Sequence, residues 1–378
     1  MSEYQYYEFQ AIDRPLTEAE MQKLRSYSTR ARVTPTSFVN VYNWGNFKGD
    51  EDAWMEKYFD AFLYVANWGT HVLKLRFPSD VLPLETAKQY CRTPFVFAKE
   101  KAGKVIVTFV SEDDSGDNWD DTGEGWLASL VPIRAEIARG DLRALYLGWL
   151  LCAQTEELHD GDREPPVPAG LGELSASLQS LAEFLRIDGH LLAAAAERSA
   201  RDESPSQESL ARWVAALQPK EKDEMLVALM RGGGTHAGSQ LMARFRRDQR
   251  SPDRAGSPPD VEPGRTVNEL LQGAAELTSI AAEKAAKEHA RREQEKIAAR
   301  TKYLDGLVGR EPTLWKEVER LIAEKKPTSY DAALVVLSNL RDLAARTKGN
   351  NFPQKIEALR AAHARKTSFI SKLKKAGF

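Results

Sequence analysis

The side chains best suited to chemistry in this chain of 378 residues lie in one acidic stretch, Ser111 to Gly125 (SEDDSGDNWDDTGEG). A calcium loop of the EF-hand kind needs oxygen ligands at positions 1, 3, 5 and 9, a backbone carbonyl at 7 and a bidentate glutamate at 12. Counted from Asp113, those places hold Asp113, Ser115, Asp117, Asp121, Trp119 and Glu124. Position 6, normally glycine, is Asn118, and the stretch follows an expected strand rather than a helix. The preferred reading is therefore a solvated acidic loop whose last charges favour the start of a helix, with calcium as the alternative.

Other candidate groups give less. The histidines (His71, His159, His190, His236, His289 and His363) show no paired spacing, and HExxH, CxxC and GxSxG are absent. His159, Asp160 and Asp162 suggest a metal dyad but fall in a proline-rich stretch. Gly232 to Ser239 resembles a phosphate loop only until Ser239, where lysine is required, and a helix C-cap and turn is expected instead. Cys91 and Cys152 supply neither a disulfide framework nor a zinc site, so two buried thiols in a reducing cytoplasm are expected. No catalytic residue and no cofactor is assigned.

Charge is the stronger signal. The net charge of −2 conceals an acidic middle, with fourteen acids against four arginines between 112 and 164. It also conceals a basic tail, with ten Lys/Arg against two acids between 339 and 378. Those ten are Arg341, Arg346, Lys348, Lys355, Arg360, Arg365, Lys366, Lys372, Lys374 and Lys375. Such a tail suits an acidic partner or a phosphate backbone, and a solvated surface is the competing account.

These groups must be positioned by an α+β N-terminal domain, then a predominantly helical region, then a small helical bundle. Strands are expected at 4–9, 32–44 and 71–77, with helices at 15–27 and 52–66 between them. Val72, Lys74 and Arg76 should form an exposed face of the third strand. A hairpin turning at Lys101-Ala102-Gly103 follows, and a ferredoxin-like arrangement is one topology this order allows. Gly123 to Cys152 holds the longest apolar run and reads as a helical hairpin broken at Gly140-Asp141, with the sheet as its packing partner. The proposed divisions are 1–160 (α+β domain with the hairpin), 171–247 (helical, with Trp213, Leu217, Met225, Leu226 and Leu229 inward), 248–264 (flexible linker), 265–310 (long charged helix) and 311–378 (basic bundle). No run approaches the roughly 20 apolar residues of a membrane span. The start, MSEYQYYEFQ, lacks the basic and apolar regions of a secretory signal.

The tail sequence LWKEVERLIAEKKPTSYDAALVVLSNLRDLA, followed by FPQKIEALRAAHARKTSFISKLKKAGF, resembles the helical region that ends some bacterial SWIM zinc-finger proteins. The zinc pattern of that family is missing, so the resemblance implies a shared helical module and no zinc ligand. The N-terminal two-thirds is similar to bacterial proteins of uncharacterised function. The expected role is a non-enzymatic interaction or adaptor protein with a protein partner, self-association being possible through the opposed charges. The alternatives are a protein that binds the nucleic-acid backbone through its basic helices, and an enzyme without a recognisable motif.

Overall fold

Seven strands make one sheet: β1 (Gln5–Gln10), β2 (Arg32–Val33), β3 (Ser37–Tyr42), β4 (Ala61–Ala66), β5 (His71–Pro78), β6 (Val96–Lys101) and β7 (Lys104–Ser111). The computed structural model describes residues 3–113, 122–201, 206–230, 264–347 and 351–378, with single positions between 238 and 248. The Gly232–Ser239 turn and the linker at 248–264 thus fall almost wholly outside the described residues. The strand order is β2-β3-β1-β4-β5-β7-β6, with every pairing antiparallel.

The first four strands and the helices Glu18–Arg25 and Glu51–Lys57 run β-α-β-β-α-β with strand order β4-β1-β3-β2, a ferredoxin-like unit. β5, β7 and β6 extend it past β4. Two strands differ from the sequence expectation. The helix expected to reach Ala66 stops at Lys57, and Ala61–Ala66 is a strand instead. Ala61, Leu63 and Val65 pack on one face of the sheet and Phe62 on the other. A strand buried on both faces gives a continuous apolar run that periodicity cannot separate from a helix. The strand expected at 32–44 is two strands, with Pro35 between them in a turn that accepts Leu16 N–H at 2.7 Å.

Alternation then divides the core. Phe9, Phe38, Phe59, Phe62, Trp54 and Met55 form an aromatic cluster under the two ferredoxin-like helices. The helix Glu18–Arg25 starts in a capping box, with Thr17 accepting from Glu20 N–H and Glu20 accepting from Thr17 N–H. Leu63, Leu73, Leu75, Val107 and Phe109 face the other way, against helices Trp126–Leu130, Pro132–Ala138, Arg143–Gln154, Ala176–Phe184 and Gly189–Ala196. Pro132 opens a helix rather than kinking one, because its missing N–H costs nothing in the first turn. Gly148 lets the Arg143–Gln154 helix approach the sheet: a Cβ there would lie 2.7 Å from Phe109 Cε1 and 2.9 Å from Val96 Cγ1. The result is three layers, helices over sheet over helices.

The chain forms two compact units, Met1–Ser279 and Ile280–Phe378. The division falls inside the helix Val267–Asp305, not in the 248–264 stretch. Val267 and Leu270 belong to the sheet unit's core, as do Leu178, Leu181 and Leu191, which the sequence reading put in a separate region. The proline-rich 159–170 stretch is pinned rather than free. Arg163 bridges to Thr266, Glu164 N–H donates to Arg265 O at 3.0 Å, and Val267 N–H donates to Asp162 O at 3.0 Å. Helices Gln207–Ala216 and Pro219–Met230 depart further from expectation. Leu226 is 59% exposed and Met230 87%, while Trp213, Leu217 and Met225 are only partly covered; the side chain of Leu229 lies outside the described residues.

In the second unit, side chains 282–300 of the long helix are exposed apart from partial cover at Glu293. Lys287–Glu283 and Arg292–Glu288 ion pairs line this stretch, at 3.4 and 2.6 Å. Four helices follow, Glu311–Ala323, Pro327–Thr347, Phe352–Ala362 and Thr367–Lys375, around Val318, Ile322, Leu337, Leu340, Leu359 and Phe369. No helix among the described residues is long and apolar enough to cross a membrane.

Candidate functional site

Of the candidate calcium ligands, Ser115, Asp117 and Asp121 lie outside the described residues; Asp113 and Glu124 stand at the two ends of the stretch. Asp113 is drawn to the sheet unit. Its carboxylate lies 3.8 Å from Arg186 Nε, and its carbonyl oxygen packs so closely on Gly69 that a Cβ there would come within 1.9 Å. Glu124 is exposed. Among the described residues no group of three or more His, Cys, Asp or Glu could hold a metal ion.

The same end of the sheet carries a constellation that sequence spacing did not reveal. His71, at the start of β5, stacks on Phe184 with ring centroids 4.7 Å apart. Its Nδ1 lies 3.0 Å from Phe184 O and its Nε2 3.0 Å from Arg186 Nη2. A guanidinium only donates, so Nε2 accepts and Nδ1 carries the proton to Phe184 O. Ser111, at the end of β7, accepts from Arg186 Nη1 at 3.0 Å and donates to Leu185 O at 3.3 Å. A nucleophile needs its hydroxyl proton aimed at the base. Here Arg186 stands between Ser111 and His71, and the serine proton goes to a carbonyl. The cluster therefore holds the end of the Ala176–Phe184 helix onto the sheet. Arg186 adopts a φ of 57° to reach both groups, a backbone conformation that side-chain spacing does not announce.

Two buried ionic networks are equally closed. Asp60 accepts from Arg76 Nε and Nη2 at 3.1 and 2.5 Å and from the N–H groups of Ile12 and Asp13 at 2.6 and 2.9 Å. Burial pushes its pKa up, but Arg76, the two N–H groups and Arg134 outweigh that and hold it below the ordinary value. Arg76 also donates to Met55 O and Glu56 O. Lys74 meets Asp52 at 2.6 Å and Glu51 at 3.2 Å. The face of β5 expected to be exposed is thus buried and charge-paired. In the second network, Glu164 accepts from Tyr146 Oη and from Arg265 Nε and Nη2, while Arg265 Nη1 donates to Ala194 O at 2.7 Å. Burial, then the neighbouring carboxylate, raises the Tyr146 phenol above its ordinary range. Cys91 and Cys152 are both buried, and burial pushes their thiols up to about 12 and about 11.

The basic residues do not form one continuous patch. Arg346 pairs with Asp305 at 2.8 Å, Arg360 with Glu357 at 2.9 Å and Lys372 with Asp331 at 2.5 Å. Arg341 lies 3.6 Å from Asp342 and 4.9 Å from the centre of the Phe378 ring. Lys366 Nζ caps the carbonyl of Ile322 at 3.0 Å. Lys348 lies outside the described residues. Arg365, Lys374 and Lys375 are exposed, without an ion-pair partner among the described residues.

Lys355 is different. Its Nζ lies over the Trp315 ring, 5.4 Å from the centroid, at the edge of a groove of about 490 Å³ between helices Glu311–Ala323 and Phe352–Ala362. Trp315, Ala358, Leu359 and Ala362 supply its apolar lining, Lys316 and Lys355 its cations, and Glu319 accompanies them. Glu319 is engaged by His363 Nε2 at 2.8 Å. Trp315 packs partly against the bundle core, and residue spacing alone does not reveal the groove beside it. Its signal is the pair of small residues Ala358 and Ala362, four apart on one helix face, which leave room that larger side chains would fill.

No protein-family model, curated protein or solved structure matches this chain.

Proposed function

We propose that the protein is a non-enzymatic adaptor whose C-terminal unit binds an acidic amphipathic helix of a partner protein. The observation that carries this reading is the Trp315 groove. It lies between two helices and is lined by the apolar Trp315, Ala358, Leu359 and Ala362 together with the cations Lys316 and Lys355. Helix-in-groove recognition uses this chemistry, with apolar anchors below and charge at the rim setting orientation and partner choice. The surrounding segment, 311–378, carries fourteen Lys/Arg against seven acids, which selects against a basic partner. The internal ion pairs of Arg346, Arg360 and Lys372 weaken the nucleic-acid reading, because charges engaged by carboxylates release fewer counterions from a phosphate backbone.

The test is a titration of the full chain with a labelled helical peptide bearing leucine on one face and glutamate on the other. A scrambled peptide of equal composition is the control. Affinity on the order of 10 μM, about 7 kcal/mol, is expected at low salt, falling several-fold at 0.3 M salt as rim charges are screened. Ala362→Arg should block the groove and Lys355→Glu should repel the peptide. Equal binding of the scrambled peptide, or indifference to Ala362→Arg, refutes the proposal. Tight, steeply salt-dependent binding of duplex DNA or RNA without peptide binding would put the nucleic-acid reading in its place.

A further inference from the structure

The groove beside Trp315 holds three charges of its own, Lys316, Lys355 and Glu319. Glu319 is the one that repels an acidic occupant, and it does not stand alone. His363, at the C-terminal end of the Phe352–Ala362 helix, brings Nε2 to 2.8 Å from Glu319 Oε2. A carboxylate only accepts, so Nε2 carries a proton in this contact and Nδ1 is the place for a second one. The histidine side chain is 15% exposed and that of Glu319 54%, so water reaches both.

Among the described residues, Glu319 is the one charged side chain within ion-pair distance of His363. From the Thr367–Lys375 helix, the imidazole meets the Phe369 ring edge-on, with centroids 6.1 Å apart. Lys366 lies three residues further on, its Nζ turned to Ile322 O at 3.0 Å. On the histidine's own helix, Arg360 is paired with Glu357 at 2.9 Å. Lysine stays cationic and glutamate anionic between pH 6 and 8, whereas histidine is the side chain that ordinarily changes charge there. Counting Lys316, Lys355, Glu319 and His363, the charge about the groove is thus +1 with the imidazole neutral and +2 with it protonated.

We infer, resting on the adaptor reading, that His363 makes the groove a proton-linked site that holds an acidic helix more tightly as pH falls from 8 to 6. Protonation of His363 sets a cation against Glu319, offsetting the one groove charge that repels the occupant's glutamates. The sign follows from charge, because an anionic ligand favours the state with one more positive charge. Linkage is reciprocal, so the bound helix favours the protonated imidazole and binding takes up a fraction of a proton. One partly exposed charge at such a rim changes affinity by about two- to fivefold.

The experiment is titration of the full chain at low salt with the leucine-and-glutamate helical peptide at pH 6, 7 and 8. The peptide's glutamates stay ionised over this range, so its own charge is constant. Affinity should rise about threefold from pH 8 to pH 6. The calorimetric enthalpy should vary with the ionisation heat of the buffer in the sense of proton uptake, which a merely structural histidine would not produce. His363→Gln keeps a donor for Glu319 but takes no second proton, and it should flatten the profile. Glu319→Gln should tighten binding about twofold or more at pH 8. Affinity constant within about 1.5-fold across the range, weaker binding in acid, or a full pH response in His363→Gln overturns the inference and leaves the adaptor reading standing. Absence of peptide binding at all three pH values overturns both.

Discussion

Replacing Arg265 by methionine tests how the start of the Val267–Asp305 helix is held to the sheet unit's core. The Glu164 side chain is 1% exposed and that of Arg265 8%. Methionine keeps much of the volume but leaves the carboxylate with Tyr146 as its side-chain donor. Breaking a buried pair by removing one partner costs about 3–5 kcal/mol. A lost bond to Ala194 O adds about 1 kcal/mol. The deficit should therefore be about 4–6 kcal/mol. Urea unfolding followed by tryptophan fluorescence reads it, because seven of the eight tryptophans lie within 1–279. The paired change Glu164→Gln with Arg265→Met should restore most of the stability. A deficit under about 1 kcal/mol would refute the reasoning.

Three other outcomes follow from the buried groups. Asp60 has a folded pKa below its unfolded value of about 3.9, so between the two the unfolded chain binds a proton that the folded chain does not. Its stabilisation is complete above pH ~4 and is lost as pH falls through the folded value; Asp60→Asn should flatten that limb of an acid-unfolding curve and destabilise by about 3 kcal/mol or more at pH 7. Gly148→Ala should destabilise by about 1–3 kcal/mol, against the ~1 kcal/mol gain that helix propensity alone gives, because its Cβ meets the buried Phe109 ring; a raised unfolding midpoint would contradict the close approach. With thiols pushed up to about 12 and about 11, Cys91 and Cys152 should resist alkylation in the folded protein at pH 8 and react once urea unfolds it; rapid labelling of the native chain would show the burial to be wrong.

Much of the fold was legible because local rules act over short range. The hairpin at Lys101-Ala102-Gly103 announced itself by turn chemistry, and Ala102 and Gly103 indeed have φ of 50° and 72°. Three of the four C-terminal helices carry proline in their first turn (Pro312, Pro327 and Pro353), and all four carry apolar spacing. The ferredoxin-like arrangement is present, and what local rules missed was one of its strands, β4. Phe59 to Ala66 reads as either helix or strand by composition, and only pairing with β1 and β5 decides between them. The same limit explains Lys74 and Arg76. Their charge placed them at the surface, but Asp52 and Asp60, distant in sequence, made burial tolerable.

Sequence by itself determined the class of each layer, the helical hairpin of 123–152 and the opposed charges of middle and tail, since all of these depend on residue type and local spacing. Tertiary structure alone decided which charges remain available. It joined Glu164 to Arg265 and Arg346 to Asp305, and left Arg365, Lys374 and Lys375 exposed without an ion-pair partner among the described residues. Ion pairs and cavities form between residues a hundred positions apart as readily as between neighbours, and no local pattern records which partner the fold will bring.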